Sequence, residues 1–492
     1  MDFDLKTCSR ARKTRDPRYD GRIFIGVLTS GVYCRTICPA PSAMERNVRY
    51  FPSAAAAAEA GFRPCLRCRP ECSPGTPAWM GTSATVTRAL RLISEAPLEG
   101  GGVDALAGHL GIGARHLRRL FLKHLGASPL QVAQTRRLHF VKKLLDETTL
   151  PMYQVAVAGG FGSVRRFNAA IRRTYKRTPT QVRTLSRRSG PEPENEYFFR
   201  LRFRRPFDWS ALLEFLSARA TPGVEVVEGG RYRRTISFAG RHGTLEASLD
   251  ETGEAIGLRI RIADPRWLFH VVERARAMFD LNADPEEIDR ALCADPFLAE
   301  RVARRPGLRV PGCWDGFELA LRAVLGQQVT VKGATTLAGR LAHAFGQALN
   351  LGHGLSRLAP LPEALAAAGA ERIMRIGLPR ARAATIHALA AAVAEGRLSF
   401  SRAADLNGFL ARFRALPGIG DWTAQYVAMR AFGDPDAFPA SDQGVLRAAG
   451  ARSAAGIEKR SLAWRPYRAY AAMYLWQAGG GERMKPRRRA AD

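Results

Sequence analysis

The sequence lacks the features of membrane proteins and of disulfide-stabilised proteins. No run of about eighteen apolar residues occurs in the 492-residue chain, so we expect no membrane-spanning helix. The chain has eight cysteines, too few for a disulfide scaffold at this length, and its N-terminal residues do not form a signal peptide. These absences predict a cytoplasmic protein with reduced thiols.

Acidic residues are also scarce. The chain has 45 Asp and Glu against 75 Lys and Arg, which gives a net charge of +30. So large a positive excess predicts a polyanionic partner, most simply double-stranded DNA. A general bias of the proteome towards arginine remains an alternative explanation for the charge alone.

Four of the few cysteines form two close pairs. Cys34 and Cys38 make the first pair, and Cys65 and Cys68 make the second. Two close pairs separated by a longer loop have the spacing of a tetrahedral zinc site. The spacing alone does not distinguish a reactive zinc site from a purely structural one.

The region from 85 to 185 contains two helix–turn–helix patterns. In each unit a helix and a glycine-containing turn lead into a basic second helix, over 114–122 and over 163–173. A helical bundle with solvated arginine faces is the alternative. The residues predicted to contact DNA are Arg115, His116, Arg118, Arg165 and Arg166.

A glycine-rich hairpin and a single acid stand out near the end of the chain. Apolar residues recur at helical spacing up to Leu416, and Pro417, Gly418 and Gly420 then interrupt the pattern before a second helix. Free backbone N–H groups at the start of that helix can hold a DNA phosphate, although a tight helix–helix corner would give the same pattern. Asp442 follows a proline-containing loop, where it is either a helix cap or a functional carboxylate.

The segment from 16 to 71 resembles the N-terminal domain of the Ada family. The resemblance rests on Tyr33-Cys34-Arg35 and on the run from Gly61 to Cys68. It implies that Cys34 irreversibly accepts a methyl group from a methylated DNA phosphate, as one of four zinc ligands. The alkylguanine transferase domain usual in that family is not expected, because no Pro-Cys-His triplet occurs.

The region from 85 to 185 resembles the DNA-binding domain of AraC-type regulators. The match is good around Phe161-Gly162-Ser163 and Phe167. This resemblance implies promoter DNA as a partner and RNA polymerase as the target of an activator.

The region from 197 to 480 resembles DNA-3-methyladenine glycosylase II, the AlkA type. The resemblance rests on 325–329, on the hairpin through Asp442 and on 464–467. It implies that Asp442 is catalytic and that Gln328 occupies the position of the wedge that fills the gap left by a flipped base. Trp422 stands where strand-cutting relatives carry lysine, which implies a monofunctional glycosylase. The residues implied to line the base-binding cleft are Phe215, Trp422, Tyr426 and Trp476.

The predicted fold class is multidomain α+β. It comprises a small zinc-bound α/β domain, an all-α double helix–turn–helix domain, a β-rich module and an all-α helix–hairpin–helix core. We expect His139, which has no metal-ligand spacing, at the surface or on a side that faces DNA phosphates. The expected boundaries are 1–80 for the zinc domain, 85–185 for the DNA-binding domain, 186–195 for a linker, 196–282 for the β-rich module, 283–482 for the helical core and 483–492 for a basic tail.

Together these patterns predict an alkylation-response protein with two activities. The back half would excise alkylated bases, and the front half would sense methylphosphotriesters as a zinc-dependent, stoichiometric methyl acceptor and transcriptional activator. The alternative is a DNA-binding regulator with structural zinc and an inactive glycosylase segment.

Overall fold

The first part of the chain folds around a four-stranded sheet. A computed structural model describes residues 4–74, 84–95, 102–185, 193–238, 240–401 and 405–481. The sheet has the order β3-β1-β2-β4, and its core contains Phe24, Tyr33, Ala57 and Phe62. Its elements are α1 (Leu5–Lys13), β1 (Phe24–Val27), β2 (Val32–Arg35), β3 (Val48–Phe51), α2 (Ala54–Glu59) and β4 (Arg63–Pro64).

Within residues 84–95 and 102–185, which the structure describes, seven α-helices follow and contain both predicted helix–turn–helix units. In the second recognition helix Phe167, Ile171 and Tyr175 recur every four residues and are buried, while Ser163 caps the first turn. The arginines between them therefore face outwards. The helices are α3 (Ala84–Glu95), α4 (Gly102–His109), α5 (Ala114–Leu125), α6 (Pro129–Glu147), α7 (Met152–Ala158), α8 (Val164–Tyr175) and α9 (Pro179–Thr184).

A five-stranded antiparallel sheet begins the back half. Its order is β5-β9-β8-β7-β6, and one helix follows the first strand in the chain. The short strand β6 was not predicted, because its four residues show no clear alternation of buried and exposed positions. The elements are β5 (Glu196–Arg202), α10 (Trp209–Ser217), β6 (Glu225–Glu228), β7 (Arg231–Phe238), β8 (Arg241–Leu249) and β9 (Ala255–Ile262).

The rest of the described chain is mainly helical. Its first helix, Leu268–Met278, packs with the five-stranded sheet, and the later helices pack around one large apolar core. This arrangement confirms the predicted multidomain α+β class. None of the helices in the described ranges is both long and apolar enough to span a bilayer. The helices are α11 (Leu268–Met278), α12 (Pro285–Leu292), α13 (Pro296–Arg304), α14 (Gly316–Leu325), α15 (Val331–Phe345), α16 (Pro362–Met374), α17 (Arg380–Ala394), α18 (Leu406–Arg414), α19 (Asp421–Arg430), α20 (Gln443–Ala448), α21 (Ala454–Ser461) and α22 (Arg468–Gly481).

The second helix–turn–helix unit shares a hydrophobic core with the five-stranded sheet. Phe140 on α6 stacks on Phe199 of β5 at 6.3 Å and meets Phe269 of α11 edge-on at 5.0 Å. The front half of the protein, which ends with this helix–turn–helix unit, is therefore packed against the back half, which begins with the five-stranded sheet. Residues 186–192 of the predicted linker, and all of the predicted tail at 483–492, lie outside the described residues.

The zinc domain packs on α6 through apolar contacts, which include Ala55, Ala56 and Val132, and through a group of polar contacts. Tyr33 on β2 shares a hydrogen bond of 2.8 Å with Nε2 of His139, which is only partly exposed. The prediction of a surface position for His139 was therefore wrong, because the zinc domain covers that side of α6. Beside this pair the buried Lys142 lies 2.5 Å from Asp146 and 3.5 Å from Glu71.

We predict that this interface makes the folded protein less stable to unfolding in mild acid. Burial lowers the pKa of His139 to about 4, against a smaller opposing effect of Glu71. Between about pH 6.5 and 4 the unfolded chain then binds a proton that the folded chain does not, so stability falls as pH falls. Glutamine does not titrate, so in His139→Gln we expect the free energy of unfolding to fall less over this pH range, by up to about 3 kcal/mol. Chemical denaturation of both proteins from pH 7 to pH 4 measures the difference, and equal losses would contradict the prediction.

Candidate active site and DNA-binding surfaces

The glycine-rich hairpin connects α18 to α19 as predicted from the helix breakers. Gly418 has a positive φ of 80°, and a Cβ atom there would lie 2.2 Å from Oγ1 of Thr385, so only glycine fits. Gly420 precedes α19 without a side-chain cap. The first-turn N–H groups of α19 can therefore donate to an anion such as a DNA phosphate.

Asp442 lies at the start of α20, where four N–H groups donate to its carboxylate. Oδ1 accepts from the backbone of Gly444 and Val445 at 2.8 and 3.0 Å and from Nε1 of Trp476 at 2.8 Å. Oδ2 accepts from Nε1 of Trp422 at 2.8 Å. Asp442 is thus a helix cap and also a carboxylate fixed between two indoles, so the two interpretations of the sequence are compatible.

The four predicted cleft residues lie together beside this carboxylate. The rings of Trp422 and Tyr426 stack at 5.3 Å, and those of Phe215 and Trp476 stack at 6.2 Å. Tyr426 also contacts Trp476 at 6.2 Å. The rings come from α10, α19 and α22, so the fold brings distant parts of the sequence into one aromatic cluster.

Gln328 lies at the tip of the exposed loop between α14 and α15. Its backbone is left-handed with φ of 56°, and the neighbouring Val329 is also exposed. The preceding residue, which the sequence analysis did not select, fixes this loop to the hairpin. Nε2 of Gln327 donates to the carbonyl of Gly418 at 2.9 Å and to Oγ1 of Thr423 at 3.0 Å.

All five residues predicted to contact DNA from the recognition helices are exposed. They lie on α5 and α8, whose opposite faces are buried. Both helices can therefore present basic side chains to a nucleic acid. The residues are Arg115, His116, Arg118, Arg165 and Arg166.

The four predicted zinc ligands converge. The sulfur atoms of Cys34, Cys38, Cys65 and Cys68 all lie within 4.8 Å of one another. Four thiolates around Zn²⁺ at about 2.3 Å have sulfurs about 3.8 Å apart, so the cluster fits a tetrahedral zinc ion. The cluster confirms zinc as the cofactor that the sequence predicts.

The four sulfur atoms have different surroundings. The backbone N–H of Arg35 donates to Sγ of Cys68 at 3.4 Å. The main influences on Cys34 are instead the other sulfurs and burial. Cys34 is 7% exposed, and Cys38 and Cys65 are more accessible.

The strand residue after Cys34 connects the zinc cluster to the back half of the protein. The buried Arg35 pairs with Asp20 and donates to the carbonyl of Cys68 at 3.1 Å. Arg204, which follows β5, donates to the carbonyl of Asp20 at 3.1 Å and to that of Asn282 at 3.4 Å. The sequence gives no local signal for these contacts.

Four known families match successive parts of the chain. The metal binding domain of Ada matches residues 7–71, and a helix-turn-helix domain matches residues 106–184. The AlkA N-terminal domain matches residues 198–315, and the HhH-GPD superfamily of base excision DNA repair proteins matches residues 321–458. The fold and the two sites therefore define a class: a helix–hairpin–helix DNA repair protein with a zinc- and DNA-binding front half.

One similarity covers nearly the whole chain. A Mycobacterium tuberculosis protein, a probable bifunctional transcriptional activator/DNA repair enzyme AlkA, is 41% identical over 485 residues, or 97% of each chain. The chain belongs to this family of bifunctional AlkA-type activators and repair enzymes, which confirms the predicted fusion.

Three further relatives match either the front part or the back part of the chain. DNA-3-methyladenine glycosylase 2 of Escherichia coli is 32% identical over 282 residues, 57% of this chain and 98% of its own. The Escherichia coli bifunctional activator/repair enzyme Ada is 36% identical over 132 residues, 27% of this chain and 36% of its own. The structure of a 3-methyladenine DNA glycosylase from Archaeoglobus fulgidus matches with a TM-score of 0.52 and 25% identity, over 58% of this chain and 100% of its own.

Proposed function

We propose that the back half excises alkylated bases from double-stranded DNA as a 3-methyladenine glycosylase, with Asp442 as its catalytic carboxylate. The observation that carries this proposal is the position of Asp442, held by Trp422 and Trp476 at the edge of the aromatic cleft. Release of 3-methyladenine from methylated duplex DNA by the wild-type protein, compared with Asp442→Asn, tests it.

The geometry suits hydrolysis of the bond between base and sugar. A damaged base that leaves the helix can stack on the rings of the cleft, and a base made cationic by alkylation is attracted by their electron-rich faces. The carboxylate of Asp442 then stabilises the positive charge that develops on the sugar, or activates water. Because Trp422 offers no amine, no Schiff base forms at this position and the strand is not cut.

We propose that Gln328 fills the gap left by the flipped base. Its side chain is exposed at a loop tip, and the contacts of Gln327 fix that loop to the phosphate-binding hairpin. The amide of Gln328 carries both a donor and an acceptor, so it can pair with the orphaned base, which an aliphatic wedge cannot do.

Replacement of Gln328 by Leu tests this role. We expect the excision rates of the wild type to depend on the base opposite the lesion by roughly tenfold, and those of Gln328→Leu to be nearly independent of it. Single-turnover excision from duplexes with each of the four opposite bases measures this. Gln347→Leu, a change in the loop after α15, is the control, and a Gln328→Leu protein with the wild-type dependence would contradict the assignment.

We further propose that Cys34 is a methyl acceptor for methylphosphotriesters. The surroundings of the sulfurs favour it over Cys68, because the backbone N–H of Arg35 donates to Sγ of Cys68 and reduces the nucleophilicity of that thiolate. Bound zinc keeps the sulfurs deprotonated at neutral pH and leaves the cluster with a net charge of −2. In the transfer, Sγ of Cys34 forms a bond to the methyl carbon, the carbon–oxygen bond breaks, and the phosphate keeps that electron pair as an ordinary diester.

The helix–turn–helix units give this transfer a regulatory consequence. We propose that α5 and α8 bind promoter DNA through the exposed basic residues, and that RNA polymerase is the target of the activator. Loss of one negative charge at the zinc cluster reduces its repulsion of the phosphate backbone. Methylation would thus strengthen promoter binding.

A further inference from the structure

A cavity of about 1160 Å³ lies between the front half and the back half of the protein. Its wall includes residues of α3 and α6 on one side and residues of α11 on the other, and we call it the junction cavity. Among the described residues, those that line it include neither the four zinc ligands nor the residues of the proposed glycosylase site. A cavity of this size between two domains can hold a small organic molecule.

Two arginines from opposite halves of the protein line the junction cavity. On α6, Nη2 of Arg136 donates to the carboxylate of Glu273 on α11 at 2.9 Å, and Nη1 donates to the carbonyl of Leu90 at 3.1 Å. Arg276 lies about one turn after Glu273 on α11. The charges of Arg136 and Glu273 both act on Arg276, so the three side chains lie close together.

Within the described ranges, the hydrogen bonds of Arg276 all go to neutral oxygens. Nε and Nη2 donate to Oδ1 of Asn282 at 3.1 and 2.6 Å, and Nη1 donates to the carbonyl of Arg202 at 3.3 Å. These bonds leave two of the five N–H groups of the guanidinium for a ligand. Burial lowers the pKa of Arg276 against a smaller opposing effect of Glu273, which shows that its charge is not fully compensated. One carboxylate therefore faces two guanidinium groups, and one positive charge remains in excess.

We propose that the junction cavity binds a small molecule with a phosphate group, and that Arg136 and Arg276 hold this group between the two halves. A phosphate accepts paired hydrogen bonds from guanidinium groups, and it supplies the negative charge that the two arginines and Glu273 lack. Aromatic rings on the wall, such as Phe238 and Trp267 stacked at 5.6 Å, offer apolar surface to the rest of the ligand. The ligand class is therefore a mononucleotide or a similar aromatic phosphate ester.

Titration calorimetry of the full-length protein with deoxyadenosine monophosphate and with inorganic phosphate tests this site. We expect saturable binding of both, and binding of the nucleotide that is at least about tenfold tighter, because its base adds apolar contacts. Arg276→Met should weaken nucleotide binding at least about tenfold, because it removes a charge-assisted donor, and Arg276→Lys should retain part of the affinity.

A buried-stem arginine outside the junction cavity provides a matched control. Arg301 on α13 also donates to main-chain carbonyls, those of Phe297 at 2.7 Å and Ala448 at 3.3 Å, and it does not line the cavity. Arg301→Met removes the same charge from the protein and should bind the nucleotide like the wild type.

Replacement of Glu273 should have the opposite effect. In Glu273→Gln we expect the nucleotide to bind about tenfold more tightly, because the phosphate no longer meets a carboxylate, while the amide oxygen still accepts from Arg136. This variant keeps the test decisive if Arg276→Met does not fold. Unchanged affinity in both Arg276→Met and Glu273→Gln, or no saturable binding to the wild type, would show that the assignment is wrong. Equal affinities for inorganic phosphate and the nucleotide would overturn the inferred ligand class.

Discussion

Replacing Asp442 with Asn should reduce the release of alkylated bases by at least about 100-fold, because it removes the charge opposite the positive sugar of the transition state. The substitution preserves the shape of the side chain, and an amide oxygen can still accept from Gly444 and Val445. The amide NH₂ group cannot accept from an indole, so one of the hydrogen bonds from Trp422 and Trp476 is lost as well. Catalysis should therefore suffer far more than folding.

Release of 3-methyladenine from methylated duplex DNA, with duplex binding measured in parallel, checks this result. Asp315→Asn is a matched control, since Asp315 caps α14 by accepting from the backbone of Glu318 at 2.9 Å and has no cleft contact among the described residues. It should keep the wild-type rate. If Asp442→Asn releases base at the wild-type rate, the carboxylate has no role in the mechanism. If the folded wild-type protein releases no base, the alternative of a regulator with an inactive glycosylase segment is favoured.

The parts of the fold that sequence predicted best are those with short-range signals. A glycine-containing turn followed by a basic helical run predicted the recognition helices over 114–122 and 163–173, which the structure contains as α5 and α8. The close spacing of the cysteine pairs likewise predicts that four sulfurs converge.

The contacts that sequence could not predict join residues far apart in the chain. Arg204 and Asp20 are separated by 184 positions, and Tyr33 and His139 by 106. A buried charged residue leaves no repeating pattern in the sequence. The residue that it pairs with is determined only when the domains pack together. The same reason explains why Trp422 and Trp476 were predicted as cleft walls but not as donors to Asp442.

Cys34→Ser should abolish methyl transfer from DNA methylphosphotriesters. A serine hydroxyl at neutral pH is a far weaker nucleophile than a zinc-bound thiolate, and the sulfur of Cys68 is engaged by the backbone N–H of Arg35. Intact-mass measurement after incubation with methylated duplex DNA should show one added methyl group on the wild type and none on the variant. Peptide mapping then places the methyl group on Cys34.

Cys72→Ser is the matched control, because Cys72 follows the second ligand pair but lies outside the four-sulfur cluster. It should be methylated like the wild type. Zinc content must be measured for each protein, since loss of a ligand also weakens metal binding. Methylation of Cys38 at a rate equal to that of Cys34 in the wild type would contradict the acceptor assignment and favour a structural zinc site.

The same transfer should strengthen DNA binding by the front half. Methylation lowers the negative charge of the cluster by one unit, and near a phosphate this change amounts to roughly 1 kcal/mol, or about fivefold in affinity. The gain should shrink as salt is raised, because counterions screen the interaction. Titration of methylated and unmethylated protein with the same duplex at two salt concentrations measures it. A gain in DNA affinity that does not depend on salt would indicate a structural change and not an electrostatic effect. If methylation leaves the affinity unchanged, methyl acceptance by Cys34 does not regulate DNA binding.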